Sequence, residues 1–224
     1  LMFWVHVITQ LIFLNILPFG KHFHVITSLP NVFFKSLDYP HEKIKLLDLE
    51  DESVWEDETL GVNHLHQLNW KQGLDLYTCT ECGRCKEVCP TYVTDKPLNL
   101  HDFNDTLKAE LYANADNLIL RAKLAGNLTG DAEADAKTKE KMAVFKPEKA
   151  LVGEVIALDT LWACTTCRAC QDICPASIEH VQKIIDIRRS LVLMEGEFPG
   201  EEVMSAMEDT EVNGNPLGFG YASR

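Results

Sequence analysis

Every cysteine in this chain belongs to one phrase written twice, C-x-x-C-x-x-C-x-x-x-C-P. The first copy is Cys79, Cys82, Cys85, Cys89 and Pro90; the second is Cys164, Cys167, Cys170, Cys174 and Pro175. Each member of the second copy lies 85 positions after its counterpart. Three cysteines at i, i+3 and i+6 let a tight loop curl around three corners of a compact inorganic core, with its backbone N–H groups turned inward. The same loop cannot reach the last corner, so the fourth thiolate comes from elsewhere. The prolines turn the chain away after each fourth cysteine.

This is the ligand spacing of a bacterial-type two-cluster ferredoxin, in which the fourth cysteine of each run serves the other cluster. That pattern assigns Cys79, Cys82, Cys85 and Cys174 to one [4Fe–4S] cluster. Cys164, Cys167, Cys170 and Cys89 take the second. Two such clusters would move single electrons. Zinc sites use cysteine pairs, alone or with histidines, and fit a triplet-plus-one run poorly. A disulfide framework would need an oxidising compartment and would not predict two identical spacings. The repeat extends to an aromatic two residues before each first cysteine, Tyr77 and Trp162. Core packing explains these, and shielding of a cluster from water is a refinement of it. Arg84 and Arg168 lie inside the loops, solvated or partly offsetting cluster charge.

At 224 residues and 46% hydrophobic content the chain can bury one core plus a smaller appendage. A net charge of −13 argues against a nucleic-acid partner, which selects a basic face. Acid is concentrated between Asp48 and Glu58 and reads as a solvated linker, with docking to a basic redox partner as the rival.

The chain opens at Leu1 inside an apolar run, as a fragment with its upstream part missing would. It has no basic n-region, small-residue cleavage site or lipidation motif. Residues 1–19 are apolar apart from His6, Thr9, Gln10 and Asn15. As a helix they cover about 28 Å, close to a bilayer core. Lys21, Lys35, Lys43 and Lys45 follow, which by the positive-inside rule places this end in the cytoplasm. His6 and His24 are 18 residues apart, five whole turns if one helix continues that far. Both then face one side about 27 Å apart, a geometry for two stacked haems, while His22 points away. Pro18 threatens that register with a kink. Bundle and interfacial histidines are the plainer alternative.

His6, Pro18-Phe19 and His24 resemble the last haem-binding helix of the cytochrome b subunit of respiratory nitrate reductase. KHFHVITSLPNVFF is similar to the linker of membrane proteins that fuse this cytochrome to an iron–sulfur domain. NWKQGLDLYTCTECGRCKEVCP and LWACTTCRACQDICPASIEH look like the same group, the heterodisulfide-reductase-related iron–sulfur proteins. The resemblance covers most of residues 1–100 and 150–224. It implies that His6 and His24 ligate haem b in an intact protein. It also implies a membrane-bound oxidoreductase that passes electrons between a cytoplasmic flavoprotein, such as electron-transfer flavoprotein, or a dehydrogenase, and menaquinone through the haems. The other haem-binding helix and the cysteine-rich CCG domains of the group are absent from this chain. No dinucleotide loop, P-loop or catalytic triad signature is present, so the expectation is electron transfer without conversion of an organic substrate. Two rivals remain. One is the iron–sulfur subunit of a glycolate, lactate or glycerol-3-phosphate dehydrogenase; the other is a zinc-stabilised scaffold module.

The expected organisation has three parts. Residues 1–34 form the end of a transmembrane cytochrome b-like helix and the membrane exit. Residues 35–68 form an acidic linker, with His64 and His66 solvated. Residues 69–224 form a helical ferredoxin domain, with 126–141 an exposed loop. Asn69 caps a helix over 70–78. Residues 98–125 read as helix, with Leu100, Phe103, Leu107 and Leu111 on one stripe. Asp159 and Ser177 cap the helices leading into and out of the second run, and Gly196 ends the latter. Ile178, Val181, Ile184, Ile185 and Leu191 face inward. No segment alternates as a strand does. The fold class is therefore mainly α, a helical two-[4Fe–4S] ferredoxin of the kind found in succinate dehydrogenase iron–sulfur subunits, preceded by the end of a membrane helix.

Overall fold

The computed structural model describes residues 2–37, 44, 46–47, 50, 60–125 and 149–220. Most of the acidic linker and the whole 126–141 loop lie outside these residues. The described helices are α1 (Met2–Ile16), α2 (His24–Phe33), α3 (Trp70–Thr78), α4 (Arg84–Glu87), α5 (Pro90–Val93), α6 (Leu100–Ala113), α7 (Ala115–Ala125), α8 (Leu158–Trp162), α9 (Ala169–Asp172), α10 (His180–Ser190) and α11 (Glu201–Asn213). Among the described residues there is no strand, only an isolated bridge between Val152 and Ile156. The fold is mostly helical, as the sequence predicts.

The core sits where α3, α6, α8 and α10 meet. Leu76 comes from α3, Leu107 from α6, Leu161 from α8, and Ile184 and Ile187 from α10; all are fully buried. Burying each such side chain contributes about 1.5–3 kcal/mol. The stripe Leu100, Phe103, Leu107 and Leu111 is buried, as its 3–4 spacing requires. The predicted 98–125 helix breaks at Asn114, whose backbone leaves the helical region. Asn69 caps α3 by accepting from the Gln72 N–H at 2.8 Å.

Two predicted caps are wrong. Asp159 lies inside the first turn of α8, which starts after Ala157 with no side-chain cap. Ser177 has φ +54° in a turn closed by its N–H to the Cys174 carbonyl, so α10 begins only at His180. Gly196, at φ +67°, does end the segment after Glu195. The inward positions of α10 hold, with Ile185 partly buried, and Ile187 joins them. The expected boundary at residue 69 also shifts. Leu60, Val62 and Leu65 are buried, and Val62 and Leu65 pack into the helical core. Gly61 allows this by backbone contact with α10: a Cβ there would stand 2.2 Å from the Ser190 nitrogen. The Val62 N–H then donates to the Asp186 carbonyl at 2.9 Å. His64 and His66 stack, with ring centroids 5.6 Å apart.

The helix carrying His6 does not run on to His24. α1 stops at Ile16, Leu17–Phe19 form a 3-10 turn, and Gly20 is extended at φ −123° and ψ −175°. Pro18 offers no N–H to continue the helical ladder. The five-turn register between the two histidines is therefore broken. Met2–Phe19 is long and apolar enough to cross a membrane, and none of it is buried. α2 differs. It docks its polar side, Thr27 and Asn31, onto the domain and leaves Val25, Ile26, Leu29 and Phe33 exposed. Asn31 donates to the Ala176 carbonyl at 2.8 Å and accepts from Lys71 Nζ at 3.0 Å. The Ser36 N–H donates to Glu179 Oε1 at 3.0 Å. Phe23 packs edge-on against Tyr77, and Phe34 against Trp70.

Candidate metal centre

Each cysteine run is delivered by a short helix, α3 or α8, and leaves through a one-turn helix, α4 or α9. Between them the two loops repeat the same backbone. Glu81 and Thr166, 85 residues apart, have φ +55° and +56°; Gly83 and Arg168, likewise matched, have φ +79° and +65°. Left-handed residues at these two places turn the loop inside out, so that peptide N–H groups face the sulfurs. The Thr166 N–H donates to Cys164 Sγ at 3.4 Å. Arg168 takes a conformation that the first loop gives to glycine, at a cost of about 1 kcal/mol.

The sulfurs group across the two runs. Cys79, Cys82, Cys85 and Cys174 line one small void of about 20 Å3. Cys164, Cys167, Cys170 and Cys89 line another of about 10 Å3. Each void thus takes three cysteines from one run and the fourth from the other. No disulfide forms among them. Among the described residues no His, Cys, Asp or Glu side chains converge as ligands of a single metal ion do. The ligands of a cubane stand further apart, around a wider core.

Burial pushes the Cys79 and Cys164 thiols up, and Cys85 up to about 11, where Cys79 adds to the effect. Cys170 is raised further by burial and by neighbouring cysteines. Such thiols hold their protons at neutral pH unless a metal's charge displaces them, so loading the site releases protons. The donor set fits two iron–sulfur clusters. The second void adds an observation of its own: the buried Thr91 hydroxyl beside it has no hydrogen-bond partner among the described residues. A cluster sulfide would accept from it.

Several residues near the voids escape the cysteine pattern. Lys183, fully buried on α10, donates to Asn104 Oδ1 at 3.2 Å. The Asn104 amide in turn donates to His180 Nδ1 at 2.7 Å. Burial lowers the Lys183 pKa, against the raising effect of Asp75, Cys79 and Cys174. Its sequence signal is position: Lys183 follows His180 by three and precedes Ile187 by four, on the buried stripe of α10. Lys108 and Arg188 reach the loops from α6 and α10, with only their charge to mark them. Arg84 is exposed at the edge of the first void, and Arg168 lines the second. Tyr77 and Trp162 are half-buried against the core.

The histidines are not brought together. His6 is exposed on α1. His24 lines a cavity of about 460 Å3 with Phe19, Tyr77, Tyr112, Glu81 and Lys108, beside the first loop. His22 does not point away: its ring lies 6.4 Å from that of His24.

Residues 75–178 match the family described as 4Fe-4S dicluster domain. The chain is 39% identical over its whole length to an EtfAB:quinone oxidoreductase of Syntrophomonas wolfei, covering 30% of that protein. It is 36% identical over 99% of its length to the probable iron-sulfur-binding oxidoreductase FadF of Bacillus subtilis, covering 32% of it. A probable membrane-anchored ferredoxin of Chromohalobacter salexigens is 36% identical over 81% of the chain and 25% of that protein. The chain spans about a third of the length of the first two relatives. No solved structure matches. Weaker similarity extends to an iron–sulfur subunit of the CoB–CoM heterodisulfide reductases. The homologues of this chain are thus iron–sulfur oxidoreductases related to that heterodisulfide reductase component, and its cysteine runs lie within the segment that matches the 4Fe-4S dicluster domain.

Proposed function

We propose that this chain carries single electrons through two [4Fe–4S] clusters as part of a membrane-bound oxidoreductase. Cys79, Cys82, Cys85 and Cys174 hold one cluster; Cys164, Cys167, Cys170 and Cys89 hold the other. The observation that carries this reading is the sorting of eight cysteines into two voids, each with a complete crossed set of four. When bound, each cluster takes up and releases one electron without breaking a bond. The protein holds the thiolates, supplies N–H groups to them and keeps water away.

The donor is a cytoplasmic flavoprotein, electron-transfer flavoprotein by analogy with the Syntrophomonas relative's name, or a dehydrogenase. The acceptor is the quinone pool, menaquinone through haem b. His6 and His24 are haem ligands only in an intact protein that supplies the opposing histidines. With the helix broken at Gly20, that assignment rests on the family resemblance. α1 spans the cytoplasmic membrane, with the cluster domain on the cytoplasmic side. Substrate chemistry belongs to the partners.

Anaerobic purification followed by metal analysis tests the core of this reading. About eight iron and eight sulfide per chain are expected. One or two zinc ions without iron would overturn it. In the intact protein, His6→Ala and His24→Ala should each remove one b-type haem and leave both clusters in place. Full haem content in both variants would reduce these residues to ordinary bundle histidines.

A further inference from the structure

The two halves of the repeat share a contact that the 85-residue register does not contain. The Cys79 carbonyl accepts from Lys108 Nζ at 3.3 Å. The Cys164 carbonyl accepts from Arg188 Nη2 at 2.7 Å. Lys108 lies on α6, the long helix after the first run, and Arg188 on α10, the long helix after the second. Each half thus returns a cation from its own long helix to the peptide that bears its first sulfur. The position 85 residues after Lys108 is Leu193, so the two cations arise at different places in the repeat.

The two contacts differ in net charge. Lys108 also pairs with Glu81 at 2.8 Å, and Glu81 sits inside the first loop. Among the described residues Arg188 bonds only main-chain carbonyls, those of Leu161 and Cys164, and its guanidinium lies 4.9 Å over the Trp162 ring. Among the described residues its charge meets no carboxylate. Net charge near a cluster and hydrogen bonding around its sulfurs are the protein's means of setting a reduction potential.

We propose that Lys108 and Arg188 are matched positioning residues that set the reduction potentials of the two clusters, Lys108 with its charge offset by Glu81 and Arg188 with its charge left whole. This rests on the two-cluster reading above. Reduction adds one negative charge to a cluster and moves no atom. A nearby cation stabilises the reduced form and a nearby carboxylate destabilises it.

The test is an EPR-monitored redox titration of the full chain, loaded anaerobically, with iron and sulfide measured first. Signals are assigned to their clusters with Cys82→Ser and Cys167→Ser. Arg188→Met should lower the potential of the second cluster alone, and Arg188→Lys should restore most of the shift. Lys108→Met should lower the potential of the first cluster alone. Glu81→Gln should raise it, and the Lys108→Met/Glu81→Gln double variant should return it close to the starting value. Should Arg188→Met fail to load, the Lys108 and Glu81 variants still decide the matter by the signs of their shifts. Full cluster content with unmoved potentials, or shifts of the same sign from Lys108→Met and Glu81→Gln, would mean that these side chains only clamp the loops. A wild-type chain that binds no iron would overturn the two-cluster reading, and this inference with it.

Discussion

The first cysteine loop rests on a buried charged network, the second on an aromatic ring and a guanidinium. Behind Cys79, Lys71 pairs with the fully buried Asp75 at 2.7 Å, and Asp75 also accepts from the Glu179 N–H at 3.1 Å. Lys183 is buried in the same region. Behind Cys164, Trp162 and Arg188 stack, and Leu161 fills the core. The loops nevertheless carry the same left-handed residues at the same two places. A repeated backbone can therefore hold one type of centre in two different electrostatic settings.

Removing a crossing ligand should have the largest effect on this comparison. Cys174→Ser takes a sulfur from the void of the first run, although it lies in the second. The first cluster's EPR signal should change and the second's should not, with Cys89→Ser giving the mirror result. Either change should cost on the order of 4 kcal/mol in denaturant unfolding, the scale of a crosslink that closes a long chain loop. A selective effect of Cys174→Ser on the second cluster would show that each run ligates its own cubane.

Two packing variants should separate the halves at intermediate cost. Lys71→Met leaves Asp75 buried without its cation and should cost about 3 kcal/mol, perturbing the first cluster. Gly61→Ala drives a methyl into the Ser190 backbone of α10 and should cost a similar amount, roughly 3 kcal/mol. Because α10 carries Arg188, its EPR signature should fall on the second cluster. Equal effects of both variants on both signals would mean that the halves respond as one.

The smallest expected effects have opposite signs. Gly83→Ala forces a side chain onto a left-handed residue and should lower stability by about 1 kcal/mol. Arg168→Gly relieves the same conformation in the other loop and should raise it by up to about 1 kcal/mol. Thermal unfolding of the two loaded variants measures both. A loss at Arg168→Gly would mean that the side chain contributes more than its backbone costs.

Where the chain obeys a local period or a ligand spacing, the sequence reading matches the structure. The grouping of the sulfurs across the two runs is consistent with their spacing, and the α6 stripe follows from a 3–4 period and the α3 cap from Asn69. Where the outcome depends on neighbours far along the chain, it does not. Leu60, Val62 and Leu65 look like linker because too few apolar residues lie nearby to make a period, yet α10 buries them. Asp159 and Ser177 are good cap residues, but the turns around Ala157 and after Pro175 start the helices elsewhere. Lys183 reads as solvent-facing by type, and its burial depends on Asn104, 79 positions away. Pro18 alone signals the break at Gly20, in a run whose apolar residues otherwise favour one helix.

The bonds of Asn31 to Lys71 and Ala176 make α2 part of the cluster domain rather than a tether to it. Only Leu17–Phe23 then separates that domain from the end of α1. Even as a freely jointed coil, those residues would have a root-mean-square span of about 15 Å, and two tight turns shorten it further. An anchored ferredoxin on a long flexible arm samples many acceptors and meets each one rarely. Here the domain is held on a short link. Its first loop stays close to the end of α1, and in the membrane-bound reading proposed above geometry rather than diffusion would decide which redox group it meets.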